Sequence, residues 1–121
     1  MLNLDTHIVV DFLRQSLPTN EVAVMRREQL GISAIVFWEL ETLVRLGRVE
    51  MAIDSPGIQS ALRELQVFPI TAQVCRQLRV LDFRSDPADE LIAATSVALN
   101  VPLLTRDERI LRSKVVPFAI S

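Results

Sequence analysis

Two aspartates occupy positions where a parallel sheet presents functional groups. Asp5 directly follows the apolar run Leu2–Leu4, and Asp107 comes shortly after the apolar run at residues 101–104. Both runs are predicted strands. In a parallel sheet, functional groups collect beyond the carboxyl ends of the strands, where the chain turns into the next helix. Asp5 and Asp107 are therefore candidates for one shared site.

Two further acidic residues lie on helix faces that we expect to be buried. Glu39 shares a helical face with the apolar residues at positions 35, 36, 40, 43 and 44. Asp89 opens a segment that is apolar almost all round as far as residue 99, which predicts a buried helix. An ionised carboxylate in a core is costly unless it is paired or bound to a metal. Glu39 and Asp89 thus join the candidates.

A hard divalent cation would explain why these carboxylates converge. Like charges a few ångströms apart raise one another's pKa values, and a cation removes that repulsion. Mg²⁺ prefers oxygen ligands and contacts substrate phosphates, and Mn²⁺ also suits such a site. The chemistry that follows is phosphodiester hydrolysis by a metal-activated water. Arg106 and Arg109, close to Asp107 in the chain, are candidate contacts for the backbone phosphates of the substrate.

Short strands alternate with helices along the chain, which predicts a mostly parallel sheet with helices on both faces. The fold class is therefore α/β with about four or five strands, and a length of 121 residues fits one domain spanning residues 1–121. Asn20 is expected to cap the second helix, Gly47 to end the third and Asn100 to end the sixth. The predicted strands cover residues 2–4, 31–33, 67–70, 101–104 and 115–120, and the predicted helices cover residues 7–15, 22–29, 35–46, 58–65, 71–81, 86–99 and 105–112.

The composition argues against several classes of protein. The net charge is −2, so no general attraction to nucleic acid is expected, although all but one of the 13 basic residues are arginines, which suit phosphate partners. The single cysteine, Cys75, cannot form an intrachain disulfide or a cysteine zinc site. No apolar run is long enough to cross a bilayer, and no signal peptide is visible. We therefore expect a cytoplasmic protein with no membrane association.

Four segments together resemble the PIN-domain family, and within it the VapC-type toxins. They match the blocks of that family in order and spacing: residues 4–7 (LDTH), 32–40 (ISAIVFWEL), 86–95 (DPADELIAAT) and 103–111 (LLTRDERIL). The resemblance covers nearly the whole chain. It implies a single PIN-like domain and a Mg²⁺- or Mn²⁺-dependent endoribonuclease that cleaves RNA. It also implies a cognate antitoxin, which holds the enzyme inactive, and a homodimer.

The resemblance also assigns roles to individual residues. The acidic quartet of the family, both catalytic and metal-ligating, falls on Asp5, Glu39, Asp89 and Asp107. An accessory acid falls on Asp86, and hydroxyl residues that support the ligands fall on Thr6, Ser33 and Thr105. The chain departs from the family in two places: Asp11 stands where relatives often carry an apolar or aromatic residue, and residues 15–29 contain no diagnostic block.

Helix capping is the ordinary alternative for three of these acids. Asp86 can cap the helix that follows it, and Asp89 is then placed like the acid of a capping box. Asp5 can cap the first helix in the same way. Capping and metal ligation are compatible, so this alternative does not exclude the site.

Thr105 and Glu108 have the spacing of a capping box of their own. That arrangement leaves Asp107 without a capping role, which favours a role in the site. His7, the one histidine of the chain, is expected to lie on the surface or behind the ligands rather than to act on substrate.

Three other functions fit parts of the pattern. A phosphoacceptor domain of the response-regulator type needs an adjacent acid pair after its first strand and a lysine after its last central strand. Here Thr6 follows Asp5, and the single lysine is Lys114. A second alternative is a PIN-like module that binds without hydrolysis, against which the intact quartet argues. The third is a metal-dependent nuclease that acts on DNA, or in RNA processing rather than as a toxin, because the preference for RNA comes from the resemblance alone.

Overall fold

The carboxyl ends of four parallel strands meet at one edge of a central sheet. In the computed structural model, which describes residues 1–120, the strands are β1 (Leu2–Leu4), β2 (Leu30–Ser33), β3 (Gln66–Phe68) and β4 (Leu103–Leu104). They are all parallel and lie in the order β3-β2-β1-β4. The predicted α/β class with a parallel sheet is confirmed. Ser121, the last residue of the predicted domain, lies outside the described residues.

Helices connect and cover these strands. Over residues 1–120 they are α1 (Thr6–Leu13), α2 (Thr19–Met25), α3 (Ile35–Arg45), α4 (Pro56–Arg63), α5 (Ala72–Arg76), α6 (Pro87–Leu99) and α7 (Glu108–Leu111). A 3-10 helix at Gln77–Val80 continues α5, so the single helix predicted for residues 71–81 is divided in two. In this part of the chain, the helices are too short or too polar to cross a membrane.

Strand β1 is covered on both faces. Successive side chains of a strand point to opposite faces, and Leu2, Asn3 and Leu4 are all buried. Asn3 points toward α6, where its Nδ2 donates to the carbonyl of Ile92 at 3.0 Å and to the hydroxyl of Ser96 at 2.9 Å. These bonds fix α6, and with it Asp89, relative to the central strand.

Glycine and asparagine end two helices as the sequence predicts. Gly47 has a φ of +70°, and Asn100 has a φ of +53° in the left-handed region. The capping prediction for Asn20 is wrong, because α2 already begins at Thr19. Pro18 occupies the cap position there with a φ of −59°, and its carbonyl accepts from the N–H groups of residues 21 and 22.

The predicted fifth strand at residues 115–120 is also wrong. Within this segment the structure has one isolated parallel bridge, between Phe118 and Leu103. The N–H groups of Val115 and Val116 donate to the hydroxyl of Ser113 instead of to a neighbouring strand. The next residue is Pro117, which has no N–H to donate. The contact with β4 is therefore limited to this bridge, in which Leu103 donates to the carbonyl of Pro117 and accepts from the N–H of Ala119.

Replacing Gly31 with alanine should destabilise the fold by about 1–3 kcal/mol, the usual cost of overpacking a core. A Cβ at this position in β2 would lie 2.6 Å from the buried ring of Phe68. Urea denaturation measures the change. The matched control is Gly57→Ala in α4, where a Cβ meets nothing within 4 Å and the helix should be unchanged or slightly stabilised. Equal stability of the two variants would contradict the packing described for β2.

Candidate active site

Asp5 lies where β1 ends and α1 begins. It is only 2% exposed. Its Oδ1 accepts from the backbone N–H of Thr6 at 2.8 Å, and its Oδ2 accepts from the hydroxyl of Thr105 at 2.7 Å. Burial raises the pKa of Asp5, these hydrogen bonds partly offset the rise, and the charge of Asp107 adds to it. Asp5 therefore both caps α1 and places a carboxylate, which burial makes costly to ionise, at the edge of the sheet.

Glu39 projects from α3 toward the same region. Val36 and Leu40 on its face of the helix are buried, as the apolar pattern predicts. The hydroxyl of Thr6 donates to Oε1 of Glu39. Burial raises the pKa of Glu39, and the negative charges of Asp89 and Asp5 raise it further. The charge of Glu39 thus interacts with the charges of two other members of the quartet.

Asp89 stands in the first turn of α6. The hydroxyl of Ser85 donates to its Oδ2 at 3.0 Å. Burial raises the pKa of Asp89, and the charges of Asp5, Asp107 and Asp86 add to the rise.

The capping prediction for α6 is only half confirmed. Asp86 holds the cap position of the helix, but its side chain makes no capping hydrogen bond. Asp89 does not close a capping box with it. Glu90 instead accepts from the N–H of Ser85 at 2.9 Å. Asp89 therefore has no capping role in α6, and its carboxylate accepts the hydroxyl of Ser85 instead.

Asp107 caps α7, which corrects the sequence prediction that it has no such role. Its Oδ1 accepts from the N–H groups of Arg109 at 2.8 Å and Ile110 at 3.3 Å. Thr105 and Glu108 do not form the predicted capping box. The hydroxyl of Thr105 accepts from the N–H of Asp107 at 3.0 Å and donates to Asp5. Both capping bonds use Oδ1, so the other carboxylate oxygen of Asp107 takes part in neither.

The charges of the quartet members act on one another near the carboxyl ends of β1 and β4. The pKa values of Asp5, Glu39 and Asp89 are each raised first by burial and then by the charge of other quartet members. Such mutual repulsion requires the acids to lie near one another. The four acids therefore influence one another's ionisation, and their assignment to one metal site stays a prediction.

The donor set suits a hard divalent cation by its chemistry, since carboxylate oxygens are the ligands that Mg²⁺ and Mn²⁺ take. Within residues 1–120, however, no three acidic, histidine or cysteine side chains lie in a cluster ready to hold an ion. Three of the four carboxylates accept a hydrogen bond from a hydroxyl group. Because a carboxylate oxygen has two acceptor positions, these bonds do not compete fully with a cation. Binding would require the carboxylates to turn toward a common point.

Of the three predicted supporting hydroxyls, two contact the quartet directly. Thr6 donates to Glu39, and Thr105 donates to Asp5. The hydroxyl of Ser33 instead accepts from the N–H of Ile35 at 3.3 Å, at the start of α3. Ser33 thus helps to begin the helix that carries Glu39.

Two grooves are lined by members of the quartet. One has a volume of about 430 Å³, and its lining includes Asp86, Asp89 and Arg109. The other has a volume of about 680 Å³, and its lining includes Asp5, His7 and three exposed arginines, Arg14, Arg48 and Arg106. Asp107 lines both of them. The two grooves therefore meet at Asp107.

An ion-pair network beside the site was not predicted. Arg106 donates to both carboxylate oxygens of Glu21 in α2 and to Asp11 in α1. The hydrogen bonds to Glu21 raise the pKa of Arg106 further above its ordinary value. The signals in the sequence were Asp11, an acid on an otherwise apolar helix, and Glu21 in a segment without a diagnostic block.

A family model and a known protein match this chain over most of its length. The model of the PIN domain family matches residues 3–115. The protein named Ribonuclease VapC22 of Mycobacterium tuberculosis is 29% identical over 114 residues, which cover 88% of this chain and 87% of that protein.

Solved structures share the fold. One is the VapBC2 complex of Rickettsia felis bound to a DNA fragment from its promoter, with a TM-score of 0.75, 19% identity and coverage of 98% of this chain and 97% of that chain. Another is a toxin-antitoxin complex of Klebsiella pneumoniae, with a TM-score of 0.67, 18% identity and coverage of 93% and 91%. A third is FitAcB of Neisseria gonorrhoeae, with a TM-score of 0.64, 23% identity and coverage of 98% and 96%. With the family model matching nearly the whole chain, this protein belongs to the PIN domain family.

Proposed function

We propose that this chain is a Mg²⁺- or Mn²⁺-dependent endoribonuclease and the toxin of a toxin–antitoxin pair. The observation that carries the proposal is the set of contacts that links the acids at this edge of the sheet. The hydroxyl of Thr105 joins Asp5 to the backbone of Asp107, and Thr6, next to Asp5, donates to Glu39. Asp107 lines one groove with Asp5 and another with Asp89. The preference for RNA is supported by the relative named as a ribonuclease. The toxin assignment is supported by the structural neighbours, which are described as VapBC and toxin-antitoxin complexes.

The quartet would hold the cation, and neighbouring residues would orient the quartet. A divalent cation bound there supplies a nucleophilic water at neutral pH and neutralises charge on the scissile phosphate. Thr105 holds Asp5, Thr6 holds Glu39, and Ser85 holds Asp89. These hydroxyls limit the rotation of three of the four carboxylates, and each bond leaves acceptor positions on the carboxylate for a cation.

Arginines on both sides of the quartet would contact the substrate backbone. Arg109 lines one groove, and Arg14 and Arg48 line the other. All three are exposed, and none forms an ion pair within residues 1–120. Their guanidinium groups are thus available for phosphate oxygens. They also offset the negative potential that the quartet presents to a polyanion.

The decisive assay is cleavage of a labelled single-stranded RNA by the purified protein. We expect internal cleavage with Mg²⁺ or Mn²⁺, loss of cleavage when a chelator is added, and recovery when excess metal is restored. The same sequence as single-stranded DNA serves as the matched substrate. Faster cleavage of the DNA would favour the DNA nuclease alternative. Cleavage of RNA that persists in the chelator would contradict the metal mechanism.

Exposed apolar side chains on and near α3 support the proposal of a protein partner. Trp38 on α3 is 59% exposed, and nearby Phe37 and Val67 are also exposed at a groove of about 400 Å³ between α3 and α4. Contiguous exposed apolar groups usually mark an interaction surface. We assign this surface to a protein partner, either the cognate antitoxin or the second copy of a homodimer.

Expression of the chain in a bacterial host should arrest growth, and co-expression of the cognate antitoxin should relieve the arrest. The matched control is Asp5→Ala, which should be harmless because it removes a proposed ligand. Growth is followed by culture density, and the amount of folded protein by gel filtration of the lysate. Harmless accumulation of the folded wild-type chain would contradict the toxin assignment.

The binding-only alternative has one observation in its favour. No three potential ligands in residues 1–120 form a ready cluster, as would also hold for a module that does not hydrolyse RNA. RNA binding without cleavage in Mg²⁺ and Mn²⁺ would establish that alternative.

A further inference from the structure

Arg106 is held by three charged hydrogen bonds beside the site. Its Nε and Nη2 donate to the two carboxylate oxygens of Glu21, at 2.8 and 2.7 Å, and its Nη1 donates to Oδ2 of Asp11 at 2.7 Å. Within residues 1–120, Arg106 is the one arginine that forms an ion pair. A two-point contact with a carboxylate fixes the orientation of the guanidinium as well as its distance.

These contacts argue against a role on the substrate. Glu21 is only 6% exposed. A buried carboxylate that loses its partner remains as an uncompensated charge, which is strongly destabilising. Arg106 cannot turn to a phosphate without leaving Glu21 in that state. The substrate contact predicted for Arg106 from the sequence is therefore not the role that its surroundings favour.

The place of Arg106 in the chain indicates another role. It lies between Thr105, whose hydroxyl donates to Asp5, and Asp107, which caps α7. Strand β4 before it has two residues and α7 after it has four, so neither supplies many backbone hydrogen bonds to hold the connection. The charge of Asp107 also opposes that of Asp5. The connection needs an external anchor, and the ion pair with α1 and α2 supplies it.

We propose that Arg106 is a positioning residue that anchors the β4–α7 connection to α1 and α2, so that Thr105 and Asp107 keep the geometry that the metal site needs. The inference rests on the proposed function. It deepens that function by assigning part of the metal affinity to an ion pair behind the ligands. Glu21 and Asp11 act through Arg106, and Glu21 contributes more because it is buried and doubly bonded.

The test compares Mn²⁺ affinity and thermal stability in Glu21→Gln, Arg106→Gln and the double variant. Mn²⁺ binding to the full chain is measured directly from the EPR signal of the free ion. Contacts that support metal ligands are worth about 10- to 100-fold in affinity, so each single variant should bind Mn²⁺ roughly tenfold more weakly. The double variant should bind no more weakly than either single one, because both substitutions break the same ion pair.

The double variant separates positioning from stability. Arg106→Gln leaves Glu21 buried without its charged partner and should lower the melting temperature. The double variant carries no charge at either position, so its melting temperature should recover while its Mn²⁺ affinity stays low. Recovery of both properties would overturn the proposal, and so would wild-type affinity in Glu21→Gln.

The matched control is Glu28→Gln. Glu28 pairs with the amino group of Met1 at the other end of β1, so this variant also loses an ion pair but should keep wild-type Mn²⁺ affinity. A tenfold loss in this control would overturn the proposal, because the effect would then not belong to Arg106. A wild-type protein that binds no Mn²⁺ would overturn the proposed function and this inference together. If the wild type binds Mn²⁺ and the Glu21→Gln and Arg106→Gln variants bind it with the same affinity, this inference alone is overturned.

Discussion

Asp5→Asn is expected to lower the rate of RNA cleavage about a thousandfold while the protein stays folded, a loss of about 4 kcal/mol of transition-state stabilisation. Asparagine caps a helix about as well as aspartate does, so α1 should keep its start. The variant removes the charge of the proposed ligand that directly follows the central strand β1. The measurement is the single-turnover rate on a labelled RNA at saturating Mg²⁺.

A matched pair on α3 supplies the control. Glu39→Gln should cause a comparable loss, whereas Glu41→Gln, two residues along the same helix, should leave the rate unchanged. Glu41 is exposed and lines the apolar groove between α3 and α4, away from the quartet. Equal rates in these two variants would contradict the placement of Glu39 in the site. Full activity after Asp5→Ala and Asp107→Ala together would refute the catalytic assignment.

Divalent metal is expected to reverse the order of stability of the wild type and Asp5→Asn. Without metal, the free energy of unfolding of Asp5→Asn should exceed that of the wild type by roughly 0.5–2 kcal/mol, because the variant removes an unfavourable buried charge. With Mn²⁺ at about 100 times its dissociation constant, the wild type should gain about 2.7 kcal/mol. The variant should gain far less. Urea denaturation with and without Mn²⁺ measures the change.

The pH dependence of the metal-free difference provides an independent check. The pKa of Asp5 is raised in the folded protein. The protonated carboxyl therefore stabilises the fold at low pH, and this stabilisation is lost as the pH rises through the folded pKa. Asp5→Asn avoids that loss. Its advantage should therefore be present at neutral pH and disappear on acidification, when the wild-type carboxyl is also neutral. An advantage independent of pH would show that charge is not its cause.

The sequence predicted the central strands and the longer helices because their signals are local. Strand β1 is a short apolar run that ends at Asp5, and α6 begins after Asp86 and ends at Asn100. The errors fell where local signals competed. Residues 115–120 are apolar enough for a strand, but the Ser113 turn and Pro117 take away the N–H groups that a ladder needs.

The four acids could be singled out from the sequence, because three are costly to bury and all four match family blocks, and their role as metal ligands stays a prediction. Their hydrogen bonds could not be predicted. Thr105 contacts Asp5 across 100 residues of sequence, and Arg106 contacts Glu21 across 85. Such pairs have no local pattern, since the contact exists only after β1 and β4 lie side by side. Asp107 was misread for a related reason: either Thr105 or Asp107 could cap α7, but the hydroxyl of Thr105 donates to Asp5 and accepts from the N–H of Asp107, which leaves the cap to Asp107.

The most direct test of the proposed metal site is an anomalous-scattering map of crystals soaked in Mn²⁺. We expect an anomalous peak within coordination distance, about 2.0–2.3 Å, of carboxylate oxygens from the quartet, with Asp5 and Asp107 among them. A map without a peak at this edge of the sheet, from protein that cleaves RNA in the same Mn²⁺ concentration, would contradict it. So would a peak held only by residues outside the quartet.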